Sequence, residues 1–324
     1  MNKLLMIVGP TSTGKTDLAL KLAKKFNGEL VSCDSRQVYK KLDIGTGKLP
    51  DKQVVVEKGK GFWEMDGVKV WMYDVVDFRQ QYTVYNYVKD ANKVVDNILS
   101  REKLPIIVGG TGLYLKALLE GLPNLVIPVD KDLRKELQEL SKEQLQQKLQ
   151  NLDKNKWESL NGSDRHNPRR LVRAIEMIMV RPKKSRFMIY DLGFKQANLL
   201  KIGLNAPRDI LYRRIDERVI SRINQGMIHE AERLHKAGLS LRRMRQLGLE
   251  YGILADFLEG KIISKEDLIK IMQGKIHGYA RRQQTWFKKE KDIEWFDITD
   301  QYLSGNVEKV IVKWYHQAAD VTQD

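Results

Sequence analysis

Leu4-Leu5-Met6-Ile7-Val8 runs directly into Gly9-Pro10-Thr11-Ser12-Thr13-Gly14-Lys15-Thr16. An apolar strand, then G-x-x-x-x-G-K-T, then a helix with Leu18, Ala19, Leu22, Ala23 and Phe26 on one face leaves few options for the fold. The bare pattern recurs by chance; the strand before it and the helix after it give it weight. The glycines let several backbone N–H groups point into one cavity at the positive end of a helix. Lys15 adds a point charge, and the Thr16 hydroxyl can ligate Mg²⁺. Such a cavity is built for a di- or triphosphate.

The rest of the chain extends this start. Residues 4–8, 29–34, 104–108, 199–205 and 293–298 read as strands alternating with helical patterns, which argues a parallel sheet with helices on both faces. Residues 53–74 differ: short apolar runs around a Gly-rich turn at 59–61 and Asp66-Gly67 read as a β-ribbon. Residues 84–99 are helical, with Val84, Val88, Ala91, Val95 and Ile98 near 3.6 spacing. After Gly121-Leu122-Pro123 the chain turns rich in Leu, Gln, Lys, Glu and Arg, and residues 130–181 read as a helical insertion. Helices are then expected at about 208–225, ended by Gly226, at 228–236, at 249–259 and, with Gly274 and Gly278 weakening it, at 265–289. The expected fold is α/β: a P-loop NTPase-like core (1–120 and 198–324) whose parallel sheet is flanked by helices, plus a helical insertion domain (121–197).

Composition narrows the function. The 324 residues are 42% hydrophobic and 31% charged, and no apolar run reaches the length of a membrane span. Met1-Asn2-Lys3 leads straight into the first strand, so no signal peptide is expected. One cysteine, Cys33, excludes an internal disulfide and a cysteine-rich zinc site, and the five histidines show no ligand spacing. A reducing cytoplasm is the expected setting. The net charge of +15 points to a polyanionic partner. Arg165, Arg169, Arg170, Arg173, Arg181, Lys183, Lys184 and Arg186 crowd one stretch against only Asp164 and Glu176.

Several constellations carry candidate chemistry. Asp34 ends the second strand, where open α/β sheets bind ligands. A carboxylate there suits a general base, and equally a helix cap or a group in the outer shell of Mg²⁺. The third strand ends in Gly109-Gly110-Thr111-Gly112-Leu113-Tyr114, whose glycines allow close backbone approach to a ligand. ATP-hydrolysing P-loop proteins commonly place an Asp there to help hold Mg²⁺. Its absence suggests a phosphate held as a leaving group, with Asp74 and Asp77 as candidate substitutes. Arg214 and Arg218 share a helical face suited to pyrophosphate, or to solvated pairing with Asp216 and Glu217. Residues 279–289 interleave Tyr279, Trp286 and Phe287 with cations, a composition that packs a core and also stacks on bases.

These segments resemble one family. GPTSTGKT (9–16), DSRQVY (34–39), DIGTGK (43–48), GGTGLYL (109–115), NPRRLVRAIE (167–176), LYRRIDERV (211–219) and ARRQQTWF (280–287) are similar, in order, to segments of tRNA dimethylallyltransferases. The resemblance implies transfer of a dimethylallyl group from its diphosphate to the exocyclic N6 amine of the adenosine 3′ to the anticodon, releasing diphosphate. It implies Mg²⁺ and no use of ATP as an energy source. Asp34 becomes the general base, Lys15 and Thr16 hold pyrophosphate and metal, and Arg214, ahead of Arg218, is the extra pyrophosphate clamp. Thr111 lies where base and donor meet. Asp34, Ser35, Arg36 and Gln37 contact the flipped nucleotide and its neighbours. Arg169, Arg170, Leu171, Val172 and Arg173, with Arg134, contact the tRNA anticodon stem-loop. The expected protein is a monomer without membrane contact.

The chain departs from the family pattern at 70–78, which lacks the usual His and Pro, in the 53–65 ribbon, and in Gln246-Leu247-Gly248-Leu249-Glu250-Tyr251. No eukaryotic-type C-terminal zinc finger is present. Two rivals stay open at this point: a P-loop small-molecule or nucleoside kinase, and a non-catalytic RNA-binding protein with a vestigial P-loop.

Overall fold

The computed structural model describes residues 3–49, 54–121, 127, 129–180 and 198–317. Arg181, Lys183, Lys184 and Arg186 of the basic stretch, Leu122-Pro123 and Gln53 lie outside the described residues. The chain divides into two compact units, residues 1–120 with 193–324 and residues 121–192.

In the first unit β1 (Lys3–Val8) enters the P-loop, α1 (Lys15–Lys25) follows, and β2 (Gly28–Cys33) returns beside it. A ribbon of β3 (Val56–Lys58), β4 (Phe62–Met65) and β5 (Val68–Trp71) precedes α2 (Val84–Ser100), β6 (Leu104–Gly109) and α3 (Gly112–Glu120). The second unit holds α4 (Lys131–Gln138), α5 (Lys142–Leu152), α6 (Lys154–Ser159), α7 (Gly162–Arg165) and α8 (Pro168–Met179). The first unit resumes with β7 (Asn198–Asn205), α9 (Arg208–Asn224), α10 (Met227–Lys236), α11 (Leu241–Leu247), α12 (Leu249–Leu258), α13 (Lys265–Phe287), β8 (Ile293–Asp297) and α14 (Leu303–His316).

One sheet runs in the order β3-β4-β5-β2-β6-β1-β7-β8. Its pairs from β5 to β8 are parallel; the β3–β4 and β4–β5 pairs are antiparallel, so β4 alone runs against the other strands. β2 and β6 are buried along their whole length, as fits central strands covered on both faces. Leu5, Ile7, Leu30 and Ile106 join residues of α1 and α14 in one core cluster. The ribbon is no separate appendage: β5 pairs with β2, and Trp63, Met65, Val68 and Val70 are in that same cluster. The alternation of buried and half-buried residues along β4 and β5 continues the main sheet.

Local chemistry explains the helix ends. Thr83 and Asn86 close a capping box at α2, and Ser141 and Gln144 do so at α5. Gly226 ends α9 as expected, following its C-cap Gln225 in a left-handed conformation, φ 98°, with its N–H donating to the Ile223 carbonyl, and α10 begins directly after it. Periodicity alone does not mark α11 and α14. α13 runs through Gly274 and Gly278 without a break.

The second unit has its own small core of Leu133, Leu137, Leu145, Leu149, Leu171, Ala174 and Ile175. Among the described residues no helix is long and apolar enough to cross a membrane.

Candidate active site

β2, β6 and β1 are adjacent and parallel, so their carboxyl ends open at one edge of the sheet. Asp34 follows β2, Gly110 follows β6 and the P-loop follows β1. A cavity of about 330 Å³ lies there. Thr11, Ser12, Gly14, Lys15 and Thr16 line one part of it, and Asp34, Ser35, Arg36 and Gln37 another. Arg218 and Arg222 from α9, Glu250 from α12, and Tyr279, Arg282 and Gln283 from α13 complete the wall.

The P-loop is held from several sides. Thr13 donates to the Pro10 carbonyl at 3.0 Å, and Lys15 Nζ to the same oxygen at 2.6 Å. Gln283 bridges two loops: its Oε1 accepts from the Thr11 N–H at 2.9 Å and its Nε2 donates to the Gly110 carbonyl at 2.9 Å. This explains the glycines after β6 differently from a ligand's approach. A Cβ on Gly110 would meet Gln283 Nε2 at 2.3 Å, and one on Gly112 would meet the Trp286 ring at 2.4 Å. The long helix, not a substrate alone, needs those bare Cα atoms.

The electrostatics suit an anion. Burial, with Arg218 beside it and Asp34 opposing, brings the Lys15 ammonium down from 10.5 to about 7. Arg218 Nη1 lies 3.2 Å from Thr11 Oγ1. Arg214, expected as the clamp, is exposed and spends its Nε on the Ser12 carbonyl at 2.8 Å. Arg218, one helical turn further along α9, lines the cavity wall, while Arg214 is held at the P-loop beside it. Arg222 reaches the Gly45 carbonyl at 3.4 Å. Glu250, between α9 and α13, has its carboxyl pushed up by burial, against the pull of Arg222.

Asp34 Oδ1 accepts the Arg36 backbone N–H at 2.8 Å. Thr111 Oγ1 accepts the Ser35 N–H at 3.3 Å. Tyr279 lies in the same cavity wall, and burial pushes its phenol up. The Arg36 side chain crosses to Gly248, where an added Cβ would come within 3.1 Å of its Nε. Gln37 lines the cavity and is also tied into the fold. Its Oε1 accepts from Ser32 Oγ at 2.6 Å and its Nε2 donates to the Gly47 carbonyl at 3.2 Å, tying the 43–48 loop to β2.

Sequence reasoning missed the supports of that loop. The buried Glu230 carboxylate accepts the N–H groups of Asp43, Ile44 and Gly45 at 2.9–3.0 Å and the Tyr251 hydroxyl at 2.5 Å. Lys48 is fully buried and donates to Tyr39 O, Asp43 and Asp74. Asp74, proposed above as a stand-in for a metal-holding carboxylate, is consumed by Lys48 at 2.5 Å and Trp63 Nε1 at 2.7 Å. Asp77 caps its own turn at the Arg79 N–H. No periodicity or motif signals Glu230; only the folded chain brings α10 under the loop.

The second unit contradicts part of the expected RNA face. Glu176 is fully buried and gathers Arg134 at 2.7–2.8 Å, Arg173 at 2.5 Å and the Asp130 N–H at 2.9 Å. Arg173 also donates to the Ile127 carbonyl. Arg134 and Arg173 thus hold this unit together, since a buried carboxylate must be paired. Leu171 is fully buried in the unit's core and so presents no side chain to RNA, while Val172 packs half-buried against that core. Arg170 pairs with Asp164, while Arg169 is exposed on the first turn of α8.

Residues 37–290 match the family model described as IPP transferase. The chain belongs to that family. Residues 2–59 also match the model described as isopentenyl transferase. A "tRNA dimethylallyltransferase 2" of Treponema denticola is 38% identical over 88% of this chain and 91% of its own length. The "tRNA dimethylallyltransferase" of Carboxydothermus hydrogenoformans is 35% identical over 96% and 97%. The solved full-length tRNA isopentenylpyrophosphate transferase of Bacillus halodurans superposes with a TM-score of 0.68 at 31% identity, covering 97% of each chain. A eukaryotic dimethylallyltransferase acting on tRNA superposes at 0.77 and 25% identity, over 96% of this chain and 78% of that one. Membership of a transferase family disfavours the kinase reading for this IPP transferase family member.

Proposed function

We propose that this chain transfers a dimethylallyl group from dimethylallyl diphosphate to the N6 amine of the adenosine 3′ to the anticodon in a tRNA anticodon stem-loop. The observation that carries the reading is the sharing of one cavity by a diphosphate cradle and the Asp34 carboxylate. A phosphoryl-transfer site needs its base beside the γ-phosphate. An alkyl-transfer site needs it beside the incoming amine, with the diphosphate as leaving group.

The target base leaves the loop stack, where an unpaired nucleotide costs least to extrude. Asp34 accepts a proton from the amine as the nitrogen attacks the primary allylic carbon and the C–O bond to diphosphate breaks. The P-loop N–H groups, Lys15 and Arg218 stabilise the departing oxygens. Thr16 would hold Mg²⁺ together with the diphosphate, and the ion would neutralise part of its charge. The residues fit that arrangement. Thr16 lines the cavity with the rest of the P-loop, and its hydroxyl oxygen is a donor suited to Mg²⁺. The protein acts as a monomer in the cytoplasm. ATP binds weakly if at all and is not consumed.

The test is mass spectrometry of tRNA incubated with the protein, dimethylallyl diphosphate and Mg²⁺, without ATP. A gain of one prenyl group on the expected adenosine supports the proposal. An unmodified tRNA, or ATP hydrolysed in step with transfer, refutes it.

A further inference from the structure

Two guanidinium groups rest on one backbone atom of the 43–48 loop. Gly47 holds a left-handed conformation, φ 63°. A Cβ on it would meet Arg218 Nη2 and Arg222 Cζ at 2.7 Å, and Arg222 Nη2 closer still. Both guanidinium groups therefore pack on the same bare Cα, beside one another. Like charges so placed repel unless something holds them. Arg218 Nη1 lies 3.2 Å from Thr11 Oγ1 in the P-loop, and Arg222 Nη1 donates to the Gly45 carbonyl at 3.4 Å. The pair thus spans from the P-loop to the 43–48 loop. Thr11, Ser12, Arg218, Arg222 and Glu250 line one recess off the cavity. Glu250 offsets part of the positive charge there, and a diphosphate beside Thr11 and Ser12 would offset more.

The loop under the arginines is pinned. Glu230 accepts the N–H groups of Asp43, Ile44 and Gly45. The Gly47 N–H donates to the Ile44 carbonyl at 3.0 Å, and its own carbonyl accepts from Gln37 Nε2 at 3.2 Å. Lys48 follows, buried among the Tyr39 carbonyl, Asp43 and Asp74. The arginines, in contrast, meet Gly47 with the far ends of flexible side chains. A methyl added at Gly47 would displace them rather than the loop.

We propose that Gly47 is a positioning residue for the prenyl donor, its bare Cα setting how Arg218 and Arg222 reach the diphosphate. The proposal rests on the function proposed above. Gly47 acts through the two guanidinium groups, which touch the leaving group. The 43–48 loop, fixed from β2 and α10, thereby shapes the diphosphate end of the cavity.

The experiment compares wild type, Gly47→Ala, Arg222→Ala, the double variant and Gly67→Ala, each as the full chain with Mg²⁺. Affinity for inorganic pyrophosphate is read by calorimetry, and KM and kcat for dimethylallyl diphosphate with an anticodon stem-loop RNA. Gly67 is also left-handed, φ 79°, with nothing within 4 Å of its Cβ position, so Gly67→Ala carries the backbone strain without the displacement. Both glycine substitutions should lower Tm by a few degrees. Gly47→Ala should weaken pyrophosphate binding and raise the donor KM roughly tenfold, with the KM for RNA unchanged. Gly67→Ala should alter neither. Arg222→Ala should weaken pyrophosphate binding several-fold, and in that background Gly47→Ala should cost less, since the nearest guanidinium is gone. Unchanged pyrophosphate affinity in Gly47→Ala overturns the proposal, as does an equal loss in Gly67→Ala or an equal penalty with and without Arg222. Unchanged affinity in Arg222→Ala overturns it whether or not Gly47→Ala folds. Pyrophosphate binding needs no turnover, so a wild type that binds it yet leaves tRNA unmodified refutes the function and not the role of Gly47.

Discussion

β2 carries a carboxylate at each end. At its amino end Glu29 is buried and accepts Arg101 at 2.6 Å on both oxygens, Lys103 at 2.9 Å and Trp71 Nε1 at 2.7 Å. At its carboxyl end Asp34 accepts one backbone N–H and lines a cavity. The first carboxylate has its cations supplied by its own chain, so it serves the fold. The second faces space shaped for another molecule. Glu176 in the insertion belongs with Glu29: it too gathers two cationic side chains and is out of reach of a ligand. Charge in a sequence is thus no guide to use; what matters is whether the fold supplies the counter-charge.

The widest separation should come from Asp34→Asn. Losing a general base should lower kcat by about 10²–10⁴, measured as prenylated RNA per unit time, with tRNA affinity held within a few-fold and the melting temperature unchanged. A variant that turns over normally would put Asp34 on the same footing as Glu29.

Glu29→Ala should do the opposite. Removing one side of a buried ion pair should cost about 3–5 kcal/mol of stability, read by denaturant unfolding, with kcat unchanged at a temperature where the protein is folded. Glu176→Ala should lower the stability of the insertion for the same reason and leave the affinity for dimethylallyl diphosphate as it was. If Glu29→Ala instead slowed transfer at full stability, the division between the strand's ends would fail.

The pH dependence sharpens the contrast. Burial alone would raise the Glu29 carboxyl, but Arg101, Lys103 and Trp71 outweigh it and bring it from 4.5 to about 2. Its folded-state value is therefore depressed. Its contribution to stability is complete above about 4.5 and is lost as pH falls towards 2. Acid titration of stability should show this slope in wild type, and a Glu29→Gln variant should lack it.

The smallest effect separates the insertion's arginines from one another. Arg169→Ala should flatten the plot of log tRNA affinity against log salt by roughly 0.9, the value of one phosphate contact on a duplex. Arg173→Ala should chiefly lower stability, since its guanidinium is bonded to Glu176 and Ile127. Equal slopes for Arg169→Ala and wild type would remove Arg169 from the RNA face.

Much of the sheet was legible because its signals are local. Runs of apolar residues bounded by turns mark β1, β2, β6, β7 and β8 to within a residue or two. The P-loop is legible for the same reason: eight consecutive residues carry its whole geometry. The site's other walls were less so. α9 carries Arg214, Arg218 and Arg222 at helical spacing, and spacing alone cannot say which turn faces inward; Arg214 and Arg218 differ only in what packs against each. Leu171 and Val172 lie within a segment matched as a unit to an RNA contact, yet the α8 helix buries one and half-buries the other.

By itself the sequence determined the P-loop, the parallel sheet that carries it, Asp34 at a neighbouring strand end, and a helical insertion rich in arginine. Each is written in contiguous residues or a short period. Only the tertiary structure decided which charges are spent inside the protein and which face the cavity. Glu230 lies under residues 43–45, Lys48 between Asp43 and Asp74, Gln283 between two loops, and Glu176 between Arg134 and Arg173. Most of these partners are tens to hundreds of residues apart. A hydrogen bond over such a separation leaves no pattern in the chain; it exists once burial has made an unpaired polar group too costly to keep.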